Sequence, residues 1–96
     1  EIMKGNTLNQ FIDDLQSTGG PEKEFSYKGK RYFLESANIG DGTIEMVVFQ
    51  CFGKEEYIFR CIGKSFSECA KQFESAKIFD GKTIYEVEQD IEVLYG

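Results

Sequence analysis

Apolar residues in the first part of this chain recur at Leu8, Phe11, Ile12 and Leu15, the i, i+3, i+4, i+7 spacing of one helical stripe. Thr7 and Gln10 stand where a capping box would open such a helix, and Gly19-Gly20-Pro21 ends it, so a helix is predicted over 6–17. From Glu24 to Ile62 the period falls to two and glycine becomes the punctuation. Turns at Gly29-Lys30, Asp41-Gly42 and Gly53-Lys54 divide this stretch into strands over 24–28, 31–39, 43–52 and 55–62. Connections this short dictate an antiparallel meander. Helical spacing then returns. Ser65 and Glu68 form a second capping box ahead of Phe66, Cys69, Ala70, Phe73 and Ala76, predicting a helix over 66–77. Thr83 and Glu86 form a third after the Asp80-Gly81 break, and Ile84, Val87, Ile91, Leu94 and Tyr95 fall on one side of a final helix. The expected fold is α+β: an N-terminal helix, a four-stranded antiparallel meander and two C-terminal helices. It is read as one domain over 1–96, with residues 1–5 as a flexible start or an added remnant ahead of Met3.

Two-residue turns also assign faces. Phe33, Ala37, Ile39, Ile44, Met46, Val48, Phe52, Tyr57, Phe59 and Cys61 are expected to point one way, and Phe25, Tyr27, Tyr32, Leu34, Val47, Phe49, Ile58 and Ile62 the other. Both faces then read as apolar, whereas an antiparallel sheet with one wet face should alternate cleanly. Such a sheet is covered on both sides or keeps one side for a partner, a weak homodimer included.

Composition narrows the chemistry. The chain has no histidine, and 17 acids against 11 bases give a formal charge of −6. Imidazole serves most hydrolytic and metal chemistry near neutral pH as base, shuttle or ligand, so its absence favours binding over catalysis. The negative charge disfavours nucleic acid and anionic lipid and favours a basic protein. No apolar run reaches the length of a membrane span. Cys51, Cys61 and Cys69 have no metal-type spacing and sit in apolar surroundings, which reads as reduced, buried thiols in a cytoplasmic protein. Around a Gly53-Lys54 turn, Cys51 and Cys61 are well out of register for a disulfide.

No catalytic, cofactor or metal residue is predicted. The nucleophile-elbow, phosphate-loop, dinucleotide and zincin motifs are absent, and Gly40-Asp41-Gly42 precedes a strand rather than a helix. Asp13, Asp14, Glu22 and Glu24 lack the spacing of a calcium loop, and Lys28, Lys30 and Arg31 read as solvated charges at a hairpin tip. The candidate partner-binding residues are Glu86, Glu88, Asp90 and Glu92 of the final helix, with Tyr27 and Tyr32 as aromatic anchors. In that helix Glu88 over Glu92 and Glu86 over Asp90 are like-charge i,i+4 pairs, each costing about 0.2–0.5 kcal/mol. A sequence tuned for stability alone would place lysines there.

The opening Asn6-Thr7-Leu8-Asn9-Gln10-Phe11-Ile12 and the closing Phe66-Ser67-Glu68-Cys69-Ala70-Lys71-Gln72-Phe73-Glu74, with the acidic final helix, resemble phage anti-CRISPR proteins. The layout is also similar to bacterial immunity proteins that neutralise nuclease toxins, and Ile78-Phe79-Asp80-Gly81-Lys82-Thr83-Ile84 resembles links in proteins of bacterial mobile elements. The resemblance implies a non-catalytic inhibitor of a nucleic-acid-acting protein that presents acids where the nucleic acid would present phosphates. The alternative is a structural or regulatory domain of a mobile-element protein that pairs with itself.

Overall fold

The computed structural model describes residues 2–3, 5–16, 22–50 and 57–95. Helix α1 (Asn6–Leu15) is followed by strands β1 (Glu22–Tyr27), β2 (Lys30–Gly40), β3 (Thr43–Gln50) and β4 (Tyr57–Gly63). Helix α2 (Phe66–Ser75), a run of turns, a short 3-10 turn (Glu88–Asp90) and strand β5 (Ile91–Tyr95) complete the chain. The architecture is α+β, with two helices on an antiparallel sheet of five strands in the order β4-β3-β2-β1-β5. The chain therefore leaves β4 at one edge, crosses the helical side through α2, and returns beside β1 at the other.

The amphipathic stripe forms α1 as expected, but its capping box does not form. Gly5 stands at the N-cap with no side-chain cap, and Gln10 instead donates to Asp14 Oδ1 at 2.8 Å. The box that opens α2 forms in half. Ser65 Oγ accepts the Glu68 N–H at 3.1 Å, satisfying a donor the helix start would leave orphaned, while Glu68 Oε2 reaches one residue past the N-cap to accept the Lys64 N–H at 2.7 Å.

The third predicted helix is not present. Residues from Thr83 onward make turns, and Ile91–Tyr95 is a strand paired with β1 through Tyr27↔Ile91, Ser26↔Glu92 and Phe25↔Val93. Acids alternating with apolar residues over 86–93 are equally a strand's period of two, and a helix there would have carried two like-charge pairs and several β-branched residues. The strand relieves both costs and sends Ile91 and Val93 to the core side with Glu92 opposite. Ile84 and Val87 still reach the core, as buried side chains from turns. The predicted box survives only as turn closure: Thr83 N–H donates to Glu86 Oε1 at 3.0 Å, and Glu86 N–H to Thr83 O at 3.1 Å.

The face assignment also needs correction, at two residues. β2 and β3 pair as Leu34↔Val48, Ser36↔Met46 and Asn38↔Ile44, but as Gly40↔Thr43 beside the turn, so Ile39 is an extra residue in β2. Asn38 Oδ1 accepts the Gly40 N–H at 2.8 Å inside this bulge. A slip of one residue flips every side chain of a strand. With it, Phe25, Tyr27, Tyr32, Leu34, Ile44, Met46, Val48, Phe59 and Cys61 all share one side, and both helices cover that side. The β1–β2 turn is Lys28-Gly29, one residue earlier than predicted, with both at positive φ (50° and 80°) as a tight hairpin requires. The predicted Gly53-Lys54 turn lies outside the described residues; Met46↔Cys61 and Val48↔Phe59 keep the register it implied, but Phe49 pairs with Tyr57, so Ile58 is an extra residue in β4 and Tyr57 faces away from Phe59 and Cys61, with which it was expected to point.

Phe73 of α2 is the centre of the core, edge-on to Phe59 of β4 at 5.6 Å and within 6.4 Å of Phe11 and of Phe79. Ile2 and Met3 belong to the fold rather than to a loose start. Ile2 bridges to Glu92, Met3 N–H donates to Ile91 O at 3.0 Å, and the Met3 side chain is buried. Among the described residues one charged side chain is buried on the core side: Lys23 is 4% exposed, with Nζ 2.8 Å from Asp14 Oδ2 and 5.4 Å from the Phe11 ring centroid.

This pair makes α1 and β1 pH-sensitive. Lys23, and then Gln10, hold the Asp14 carboxyl below its ordinary value of 3.8. A lowered folded value contributes stability above the unfolded value and loses it as pH falls through the folded one. Asp14→Asn should therefore lower the urea midpoint at neutral pH and lose much of that difference below about pH 3. Equal differences at both pH values would remove the pair from the stability balance.

Candidate functional site

The predicted acids do not form one stripe. Glu86 closes its own turn, and the Thr83 backbone N–H holds its carboxyl below the usual range. Glu88 is half-buried and Asp90 exposed on the 3-10 turn, while Glu92 projects from the opposite side of the sheet to the helices. Tyr27 and Tyr32 are not surface anchors, because both rings are buried in the core. Tyr27 stacks edge-on against Phe79 at 5.2 Å and Tyr32 on Phe25 at 5.6 Å. Only the Tyr27 hydroxyl reaches outward, donating to Asp80 Oδ2 at 2.9 Å, where Lys28 Nζ also sits at 3.1 Å. Burial, then the bond to Asp80, pushes the Tyr27 phenol up, while Lys28, then Tyr27, hold the Asp80 carboxyl down. This cluster joins two turn tips and is structural.

The surface aromatics lie on the other side of the sheet. Strand alternation and the observed ladders arrange that side in rows running across the strands. One row is Glu24, Phe33, Phe49 and Tyr57; the next is Glu22, Glu35, Val47 and Arg60. Beyond them stand Ala37, Glu45 and Ile62 on one side, and Glu92, Ser26 and Arg31 on the other. The three rings form a continuous band, with centroids 5.6 Å apart between Phe33 and Phe49 and 6.0 Å between Phe49 and Tyr57. Among the described residues no helix or strand lies over this band. Phe33 and Phe49 are half-buried, and Tyr57, Ile62 and Ile39 are 58%, 49% and 54% exposed. Val47, at the centre, is buried yet stands apart from the main core cluster. A contiguous apolar surface of this kind on one side of a small domain marks an interaction site.

The electrostatics of the face are one-sided. It carries Glu22, Glu24, Glu35, Glu45 and Glu92 against Arg31 and Arg60. Both guanidiniums already engage face carboxylates, Arg31 with Glu24 and Arg60 with Glu45 at 2.7 Å. Glu22 and Glu35 stand directly opposite one another on β1 and β2, a like-charge cross-strand pair that costs the free protein stability. The acids gather toward β1, β2 and β5, the rings toward β2, β3 and β4. Sequence reasoning found the meander but missed this division, because the bulge at Ile39 inverts β2 relative to β3 and a second at Ile58 turns Tyr57 away from Phe59.

Among the described residues no three His, Cys, Asp or Glu side chains could hold an ion, and no helix is long and apolar enough to cross a membrane. Cys61 and Cys69 are free, buried thiols, while Cys51 lies outside the described residues. Cys69 Sγ lies 3.8 Å from Ile44 O and 3.9 Å from Cys61 O. Burial, then the neighbouring Cys61, pushes its thiol up from 9.0 to about 12. A raised folded value contributes stability below the unfolded one and loses it as pH rises toward the folded one. Native protein at pH 8 should therefore resist alkylation at Cys61 and Cys69, and label at both in denaturant without reductant. Rapid native labelling would contradict their burial.

No protein-family model, no curated protein and no solved structure matches this chain significantly. The acidic final helix that contributed to the resemblance with anti-CRISPR proteins is replaced by turns and β5.

Proposed function

We propose that this chain is a non-catalytic acidic protein-binding module of the inhibitor or immunity type, whose partner is a basic protein acting on nucleic acid. The observation that carries this reading is the exposed sheet face, where an aromatic band lies beside a surplus of carboxylates. Desolvated rings supply most of the affinity at protein interfaces, while surrounding charges select and steer the partner. A partner that binds phosphates brings the cationic surface this face lacks.

A second copy fits the face less well. A two-fold axis lying in a face-to-face contact either brings the carboxylate half of each copy against that of the other, or sets it over the other's rings. The first arrangement repels and the second desolvates charge without pairing it. Self-association remains the competing outcome.

Tagged chain and a Phe33→Ser/Tyr57→Ser variant, each verified as folded, are to be compared for capture of proteins from the source cell. The expected result is a basic, nucleic-acid-acting partner that elutes with salt and is lost with the variant. Its activity should fall when the unmodified chain is added. Capture indifferent to the variant, or a concentration-dependent dimer in place of a partner, would overturn the reading.

A further inference from the structure

The two edges of the sheet differ. β5 is closed on its outer side by the chain's own Ile2-Met3, through the Ile2↔Glu92 bridge and the Met3 N–H to Ile91 O bond of 3.0 Å. β4 has no strand beyond it among the described residues. Its backbone bonds to β3, and the Cys61 carbonyl also receives a contact from the Cys69 thiol. In an edge strand every second residue turns its N–H and C=O away from the sheet. Natural sheets blunt such edges with prolines, charges and bulges. β4 has a bulge at Ile58 near its start, but from Phe59 to Gly63 it pairs regularly with β3 and has no proline, one charge in Arg60 and an exposed side chain at Ile62.

We propose that an extended segment of the basic partner adds to β4 as a sixth strand. This rests on the binding-module reading above and specifies how the partner is held. The aromatic band ends on β4 itself at Tyr57, so a chain covering the band reaches the open edge without a break. Main-chain bonds to β4 supply affinity, and its alternate side chains cover Tyr57 and Ile62. Charge selects the occupant. A cationic strand is drawn by the −6 chain, whose one charge on β4, Arg60, is already paired with Glu45 at 2.7 Å, whereas two −6 copies repel one another.

The probe is a peptide of alternating lysine and valine, N-methylated along one edge so that it pairs but does not polymerise. It is titrated into isotopically labelled chain and followed by amide NMR shifts and hydrogen exchange. A second peptide, N-methylated along both edges, keeps the side chains and charge but has no main-chain donors. We expect the first peptide to shift and protect amides of β4, the second to bind at least tenfold more weakly, and Ile62→Lys to weaken the first roughly two- to fivefold by like-charge opposition. Equal binding of both peptides, with shifts confined to the Phe33–Phe49 face, overturns strand addition and leaves the binding-module reading standing. A peptide-free dimer abolished by Ile62→Lys assigns the edge to a second copy and overturns it as well. Absence of any β4 response also overturns it, while the binding-module reading is judged separately, by the capture experiment with the Phe33→Ser/Tyr57→Ser variant.

Discussion

Replacing Phe73 by Ala should remove about 3–5 kcal/mol of stability, the usual cost of deleting a fully buried ring whose site does not collapse. A domain of this size has on the order of 5–15 kcal/mol in all, so much of the variant population should be unfolded at modest temperature. Phe73 is where four parts of the chain converge. Phe11 comes from α1, Phe59 from β4 and Phe79 from the segment before β5, each ring within 6.4 Å. No one of these elements relaxes into the vacated space without abandoning the others. Tyr57→Ser is the control, since a side chain 58% exposed on the uncovered face should change stability by about 0.5 kcal/mol or less. Urea unfolding of the two variants separates the faces. A Phe73→Ala midpoint within about 1 kcal/mol of the parent would move the core away from this junction.

What the sequence revealed follows from how local each signal is. Leu8, Phe11, Ile12 and Leu15 specify α1 on their own, and Ser65 with Glu68 marks the start of α2 because both halves of that box lie within one turn. The β1–β2 hairpin kept its face assignment although its turn moved by one residue, because both strands shifted together and Phe25, Tyr27, Tyr32 and Leu34 stayed on one side. Ile39 is different. Tyr32-Phe33-Leu34 is apolar on both sides, so alternation in β2 carries no parity, and nothing local signals an extra residue.

The end of the chain failed for a related reason. Ile84, Val87, Ile91 and Leu94 satisfy helical spacing, while Ile91 and Val93 with Glu92 between them satisfy strand spacing. Local pattern leaves that choice open, and the vacant side of β1 decides it by offering backbone partners to 91–95. These two corrections, with the bulge at Ile58 that turns Tyr57 outward, relocated the candidate site. Glu86, Glu88, Asp90 and Glu92 are dispersed, Tyr27 and Tyr32 go inside, and Phe33, Phe49 and Tyr57 come together outside beside Glu22 and Glu35. Once the faces are sorted correctly, the helical side holds the core cluster and the other side holds the carboxylates and arginines. That is the division a one-sided antiparallel sheet requires.

The exposed face should divide binding kinetics between its two halves once a partner is in hand. Tyr57→Ser removes a ring from the aromatic band and should cost about 2 kcal/mol of affinity, roughly a thirtyfold loss, chiefly as faster dissociation. Glu22→Gln with Glu35→Gln acts on the other half. It relieves a directly opposed like-charge pair, so the free chain should gain about 0.2–1 kcal/mol. The same change removes charge that draws a cationic partner, so association should slow severalfold at low salt and converge with the parent near 1 M, where the screening length is about 3 Å. Stability and association rate therefore move in opposite directions in the carboxylate variant, while only the dissociation rate moves in the ring variant. Stopped-flow association across a salt series, with urea unfolding of the same preparations, checks all three quantities. An association rate indifferent to Glu22, Glu35 and salt would reduce these carboxylates to solubilising surface, and a dissociation rate indifferent to Tyr57 would take the aromatic band out of the interface.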